Sequence, residues 1–114
     1  MSELPVLAYK VLTSEQMAAF GRDGGFAGAP VDLTDGFIHM STADQIDETV
    51  AKHFAGQDGL LGLAVDLAGL GDAVRWEPSR GGALFPHLYG ALEAEAVVAS
   101  CALARDVSGK IVLP

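Results

Sequence analysis

The run GLLGLAVDL, at residues 59–67, is the segment that most limits how this chain can fold. Asp66 is its one charged residue, and polar and apolar positions do not alternate along it. Such a continuous apolar run is typical of a strand that is covered on both faces. A strand of this kind needs other strands at its edges, and a chain of 114 residues is the size of one domain. We therefore expect residues 1–114 to form a single domain.

Five further segments are rich in apolar, β-branched or aromatic residues and are bounded by glycine, proline or polar residues, which predicts short strands. They lie at about residues 6–12, 37–41, 74–78, 83–92 and 95–106. The C-terminal segment SGKIVLP is expected to pair briefly at a sheet edge.

Two pairs of polar residues predict helix starts. Thr13 with Gln16, and Thr42 with Gln45, have the spacing of a capping box. The two helices are expected over about residues 14–20 and 43–56.

Residues 21–36 contain five glycines and a proline, which predicts a long loop, either a binding segment or an ordinary surface excursion. The predicted fold class is α+β: a small split antiparallel or mixed β-sheet of about six short strands with two helices.

Charge and composition narrow the possible partners. Fifteen Asp and Glu residues against seven Lys and Arg give a formal net charge of −8, which disfavours nucleic acid as a partner. Neither a secretory signal nor an apolar run long enough for a membrane is visible, so we expect a cytoplasmic protein without membrane partners. The single cysteine, Cys101, is expected to be a small buried hydrophobe. The oligomeric state stays open.

The segment DGFIHMST, residues 35–42, places His39 inside a short apolar run. Strand alternation puts Phe37, His39 and Ser41 on one face, and a helix beginning at Thr42 would bring its free N–H groups close to them. His39 is therefore a candidate for proton transfer or anion binding. The alternative is a hydrogen-bonded core histidine, which is the more usual role of a lone histidine on an apolar face.

The segment VRWEPS supplies Glu77, which alternation places on the same face as Arg75 and opposite Trp76. Its carboxylate could act as a general base or orient a ribose hydroxyl. The alternative is a surface ion pair with Arg75 that contributes well under about 1 kcal/mol.

The segment FPHLYG places Phe85, His87 and Tyr89 on one face. These side chains form an aromatic wall with two polar tips, which suits stacking against a planar ring as well as core packing. We interpret His53 as structural. No metal site is expected, because His39, Glu77 and His87 are far apart in sequence and show no spacing typical of metal ligands.

The order and spacing of DGFIHMST, VRWEPS and LFPHLYGAL resemble the small bacterial proteins known as domain of unknown function 952. The resemblance runs from YKVL to the last apolar strand. This family has no established activity, and its fold is similar to that of the ADP-ribosyltransferases, whose split β-sheet binds NAD in a cleft.

The resemblance implies roles for several residues. Tyr9 or Lys10 would hold the ribose, although this chain has Tyr-Lys-Val where those enzymes have His or Arg followed by Gly. The second strand would line the nicotinamide pocket with His39, Ser41 and Thr42. Glu77 would stabilise the oxocarbenium-like state as nicotinamide departs.

Three functional hypotheses follow. In the first, the protein is an enzyme, a transferase or a glycohydrolase, that uses NAD or a related nucleotide as substrate. Its catalytic residues are then Glu77 and His39, and the side chains that bind the cofactor are Tyr9, Lys10, Ser41, Thr42, His87 and Tyr89. In the second, the same pocket binds a small ligand or a partner without catalysis. In the third, these segments only pack the sheet.

Overall fold

The computed structural model describes residues 5–79 and 81–114, and the α+β class is confirmed. Within these residues the chain forms ten strands, three α-helices and two 3₁₀ helices, the latter at Ala68–Ala73 and Ala94–Ala96. The helices are α1 Ser14–Asp23, α2 Pro30–Asp35 and α3 Ile46–His53. The strands are β1 Leu7–Leu12, β2 Gly25–Phe26, β3 Ile38–His39, β4 Leu61–Asp66, β5 Val74–Ser79, β6 Ala83–Leu88, β7 Leu92–Glu93, β8 Val97–Ala102, β9 Ala104–Arg105 and β10 Ile111–Val112.

The strands form two three-stranded sheets, ordered β1-β4-β8 and β3-β6-β5, and two small pairs, β2-β7 and β9-β10. Every pairing among the described strands is antiparallel. The two larger sheets meet where Tyr9 of β1 and Ser41 exchange backbone hydrogen bonds of 2.7 and 2.9 Å. This junction places the end of β3 beside the middle of β1.

Strand β4 is the central strand predicted from the apolar run. It lies between β1 and β8, and its residues Leu63, Ala64 and Val65 are at most 2% exposed. Around it, one buried cluster includes Leu12, Ile38, Met40, Leu63, Val65, Leu88 and Leu92. A second buried cluster lies under α3 and includes Val11, Ile46, Val50, Leu60 and Ile111.

The prediction of a loop over residues 21–36 was wrong, because this segment contains the end of α1, β2 and α2. The short helix α2 begins with Pro30, whose fixed φ suits the first helical turn. The carboxylate of Asp32 accepts the Ala29 N–H at 2.8 Å, and Gly36 ends the helix with a φ of +88°. Local signals thus build a helix inside a glycine-rich segment.

The strand predicted at 37–41 and the helix predicted after Thr42 are both shorter than expected. Met40 still donates to the carbonyl oxygen of Pro86 at 3.1 Å, Ser41 then pairs with β1, and α3 begins at Ile46. The side chain of Gln45 accepts the Thr42 N–H at 2.9 Å, so the predicted pair closes a turn and does not cap the helix. Helix α3 therefore begins seven residues after His39 and not at Thr42 as expected.

The C-terminal third also differs in detail. The segment 83–92 ends as a strand at Leu88, and the segment 95–106 divides into β8 and β9. The predicted edge pairing of the C-terminus is confirmed by β9 and β10. Cys101 is only partly buried, because β8 lies at the edge of its sheet. None of the helices in the described part of the chain is long and apolar enough to cross a membrane.

Candidate functional site

The register of the β3-β6-β5 sheet brings the candidate side chains onto one face. His39 lies opposite His87, His87 lies opposite Arg75, and Phe85 lies opposite Glu77. Since directly opposed residues point to the same side of a sheet, the predicted shared face is confirmed for the residues within this register, namely His39, Arg75, Glu77, Phe85 and His87. His39 and His87 come from strands that are adjacent in space and far apart in sequence.

Asp32 is the buried centre of the site, with 2% of its surface exposed. Its Oδ1 accepts the His39 backbone N–H at 3.0 Å and lies 2.6 Å from His39 Nδ1. Its Oδ2 lies 3.1 Å from Lys10 Nζ and accepts the Ala29 N–H. The ammonium of Lys10, itself 6% exposed, also donates to the carbonyl oxygen of His39 at 2.9 Å. Asp32 thereby fixes both the backbone and the ring of His39.

The electrostatics of this group follow from burial and pairing. Burial alone would raise the pKa of Asp32, but the hydrogen bonds from His39 and the charge of Lys10 outweigh it and lower the pKa to about 2. Burial lowers the pKa of Lys10, and the neighbouring Asp32 offsets part of that effect. Asp32 is therefore a carboxylate throughout the physiological pH range.

The second ring nitrogen of His39 faces another carboxylate. Nε2 lies 2.9 Å from Oδ2 of Asp35, whose side chain is 44% exposed, whereas that of Asp32 is 1% exposed. A histidine can offer hydrogen to acceptors at both nitrogens only as an imidazolium. The arrangement around His39 therefore suits the positively charged ring.

His87 is oriented by Glu77. Its Nδ1 lies 2.8 Å from Oε1 of Glu77, which also accepts the Tyr89 hydroxyl at 2.7 Å. The hydrogen bonds from Tyr89 and His87 lower the pKa of Glu77, and the same bond to Glu77 raises the pKa of Tyr89. A carboxylate at Nδ1 holds the neutral ring in the tautomer that leaves Nε2 as an acceptor. Among the described residues, no hydrogen bond reaches Nε2 of His87.

Phe37 packs among these rings. Its ring stacks on His87 with centroids 4.0 Å apart, and its centroid is 4.6 Å from that of His39 and 5.2 Å from that of Tyr89. The two imidazole centroids are 5.6 Å apart. Phe37 therefore restricts the motion of both histidines.

A cavity of about 540 Å³ opens beside these histidines. Four of the candidate residues line it, namely Lys10, His39, Ser41 and His87. Within residues 5–79 and 81–114, its lining does not include the other four, namely Tyr9, Thr42, Glu77 and Tyr89. Glu77 and Tyr89 reach the cavity only through His87, and Tyr9 packs against the second buried cluster.

Other cavity residues were not anticipated from sequence. Helix α2 supplies Pro30, Val31 and Asp35, so the segment considered as a possible binding loop does form a wall of the site. His53, interpreted as structural, also lines the cavity. Alternation along a strand could not reveal these residues, because they lie on helices.

The cavity lining has more basic than acidic side chains, whereas the chain as a whole is acidic. All three histidines of the protein and Lys10 line it, and Asp35 is the one carboxylate in the described lining. Within the described residues, no group of three or more His, Cys, Asp and Glu side chains is arranged to hold a metal ion.

The pKa of Asp32 predicts an acid-sensitive component of stability. The folded-state pKa of about 2 lies below the ordinary value of 3.8, so this stabilisation is fully present above pH 3.8 and is lost as the pH falls towards 2. The difference corresponds to about 2 kcal/mol. The free energy of unfolding, measured with urea, should be lower at pH 2.5 than at pH 5 by most of this amount. The Asp35→Asn variant should lose as much as the wild type, and a stability unchanged between these pH values would contradict the assignment.

Comparisons with known proteins agree with this architecture. The chain is similar to protein CC0527 from Caulobacter crescentus, whose X-ray crystal structure matches with a TM-score of 0.84 and 45% sequence identity over 93% of each chain. The solution NMR structure of CC0527 matches with a TM-score of 0.79 and 45% identity over 93% of this chain and 91% of that chain. A search of curated proteins gave no match. Residues 11–100 match a family described as "Protein of unknown function (DUF952)", and the chain therefore belongs to the DUF952 family.

Proposed function

We propose that the cavity binds a small nucleotide-like molecule and that His39 and His87 act on it as an acid–base pair. One observation carries this proposal: two histidines from paired strands, each with Nδ1 held by a carboxylate, line the same cavity. Histidine is the side chain best suited to exchange protons near neutral pH.

The environments of the two rings support different roles. His87, oriented by Glu77, has Nε2 available to accept a proton from a hydroxyl group or a water molecule. His39, set between Asp32 and Asp35, suits the imidazolium that donates a proton to a leaving group. Such a pair fits hydrolysis or group transfer at a glycosidic or phosphate ester bond.

The lining also fits a nucleotide. Phe54 and Phe85 line it with apolar and aromatic surface for a base. Gln16 keeps its side-chain NH2 as a donor for a ribose, because its Oε1 is the atom that accepts the Thr13 N–H. A cavity of about 540 Å³ lies within the usual size of small-molecule sites.

Cleavage of NAD, which the family resemblance implied, is a narrower form of this proposal. There Glu77 would face the positive charge that develops on the ribose. Its carboxylate instead contacts His87 and Tyr89, so we assign Glu77 as the positioning residue of His87. A purely binding role uses the same cavity and differs in having no turnover.

The test is a thermal-shift screen of adenosine, AMP, ADP, ADP-ribose and NAD. A ligand at 100 times its Kd stabilises the folded state by about 2.7 kcal/mol, which is about 10 °C or more in Tm for a chain of this size. His87→Gln should abolish the shift, because the amide cannot replace the oriented imidazole. The control variant Lys52→Gln removes an exposed ion pair with Glu48 and should show the same thermal shift with ligand as the wild type.

Turnover is measured on the same samples by chromatography of nicotinamide, adenine and phosphate. Product released by the wild type and lost in His87→Gln supports the enzyme, and binding without product supports the binding module. If no compound shifts the wild type, or if His87→Gln responds like the wild type, the proposed function is wrong.

A further inference from the structure

We propose that Asp35 occupies the position of an anionic group of the ligand, so that the site selects ligands carrying a phosphate or a carboxylate and Asp35 is displaced when they bind. This inference rests on the ligand site proposed above and identifies the chemical group that His39 recognises. Its structural basis is the contact of 2.9 Å between Asp35 Oδ2 and His39 Nε2 at the cavity wall.

The charge distribution favours an anionic ligand. Acidic residues outnumber Lys and Arg by fifteen to seven in the chain, yet the described cavity lining has four basic side chains and one carboxylate. Lys10 is neutralised by Asp32, and His39 is shared between Asp32 and Asp35. Once Asp35 turns away, Nε2 of His39 is left at the cavity without its carboxylate partner, and it can donate to an anionic group of the ligand.

The two carboxylates at His39 differ in how firmly they are held. Asp32 is buried and accepts hydrogen bonds from Ala29 and from the backbone of His39, besides its ion pair with Lys10. The Asp35 side chain is 44% exposed, and His39 is its one ion-pair partner among the described residues. Moving Asp35 into water therefore breaks one partly exposed ion pair, and such pairs contribute little to stability.

Exchange of one anion for another preserves the state of the ring. While Asp35 is in place, both nitrogens of His39 face negative oxygens, and a ligand phosphate at Nε2 leaves that pattern unchanged. Asp35 is then an internal competitor for Nε2 of His39. Removing its charge should raise the affinity for anions by about 3- to 10-fold, because neither competition nor repulsion remains.

The experiment uses inorganic pyrophosphate as the probe, titrated at pH 6 into the wild type, Asp35→Asn and Asp44→Asn. Asp44 is exposed and follows β3, whereas Asp35 precedes β3. The Asp44→Asn variant therefore makes the same change in net charge as Asp35→Asn. Imidazole ¹⁵N and ¹H shifts of His39 report both binding and protonation. We expect Asp35→Asn to bind pyrophosphate about 3- to 10-fold more tightly, with the largest shifts at His39, and Asp44→Asn to bind like the wild type.

Malonate, titrated in parallel, distinguishes a carboxylate ligand from a phosphate. Equal or weaker binding of both anions to Asp35→Asn would overturn the inference, as would the absence of measurable binding to that variant. Failure of the proposed function is a separate result. If adenosine binding needs His87 but Asp35→Asn does not change the affinity for pyrophosphate, the proposed ligand site stands. Only the inference about an anionic group then fails. If Asp35→Asn binds pyrophosphate more tightly but no nucleotide stabilises the protein, the anion inference stands and the proposed nucleotide function fails.

Discussion

Asp32→Asn is expected to destabilise the folded protein by about 3–5 kcal/mol, because removing one partner of a buried ion pair leaves the other charge uncompensated. Lys10 is 6% exposed and has Asp32 as its counter-charge. An asparagine also has only one acceptor oxygen, so its NH2 group faces either His39 or the Ala29 N–H and Lys10, where an acceptor is required. The loss therefore includes a buried charge and part of a hydrogen-bond network.

Urea unfolding at pH 7, followed by circular dichroism, measures this effect. The matched control is Asp35→Asn, which makes the same chemical change at the exposed carboxylate of the same histidine and should cost less than about 1 kcal/mol. If Asp32→Asn does not fold, the double variant Lys10→Met, Asp32→Asn removes both charges, keeps an acceptor oxygen at position 32 and should recover folding. Equal losses in the two single variants would show that burial of Asp32 does not govern its contribution.

The part of the site that lies on strands could be predicted from sequence because strand alternation is a local property. Once 37–41 and 83–92 are recognised as extended, the period of two determines which side chains share a face. The pairing of His39 with His87 then requires only that the strands be neighbours. Local periodicity thus predicted that the two histidines and Glu77 point to the faces on which the structure has them.

Asp32 could not be identified in the same way. Helix α2 has six residues, too few to be stable alone, and its formation depends on tertiary contacts. The lysine that pairs with Asp32 lies 22 residues earlier in the chain. No local pattern distinguishes Asp32 from Asp35, although one is buried and the other is exposed.

The start of α3 differs from the capping box that the sequence favours at Thr42 and Gln45. One half of the box is present, because the side-chain oxygen of Gln45 accepts the Thr42 N–H at 2.9 Å, but the backbone N–H of Gln45 donates to the carbonyl oxygen of Thr42 at 3.0 Å. The side-chain amide of Gln45 also donates to the carbonyl oxygen of Leu84 at 2.7 Å. This bond to β6 ties the turn to the sheet, and the helix begins at Ile46.

Leu88→Ala is expected to destabilise the protein by about 2–5 kcal/mol. Leu88 lies on the face of β6 that points away from His87. Leu88 is 1% exposed and lies opposite Ile38 of β3 and Val74 of β5, within the main buried cluster. Truncation loses buried apolar surface and leaves a cavity in a region where three strands meet. The expected loss is comparable with that of Asp32→Asn, although it involves no charge.

Leu84→Ala is the matched control, because Leu84 lies on the same strand and is 44% exposed. Its loss should stay below about 0.5 kcal/mol, as at exposed positions generally. The hydrogen bond from Gln45 uses the backbone of Leu84 and survives this substitution. Unfolding curves in urea at pH 7 separate the two variants. Because Leu88 points away from His87, folded Leu88→Ala should still bind ligand with nearly unchanged affinity, and a large loss of both stability and affinity would mean that the two faces of β6 are not independent.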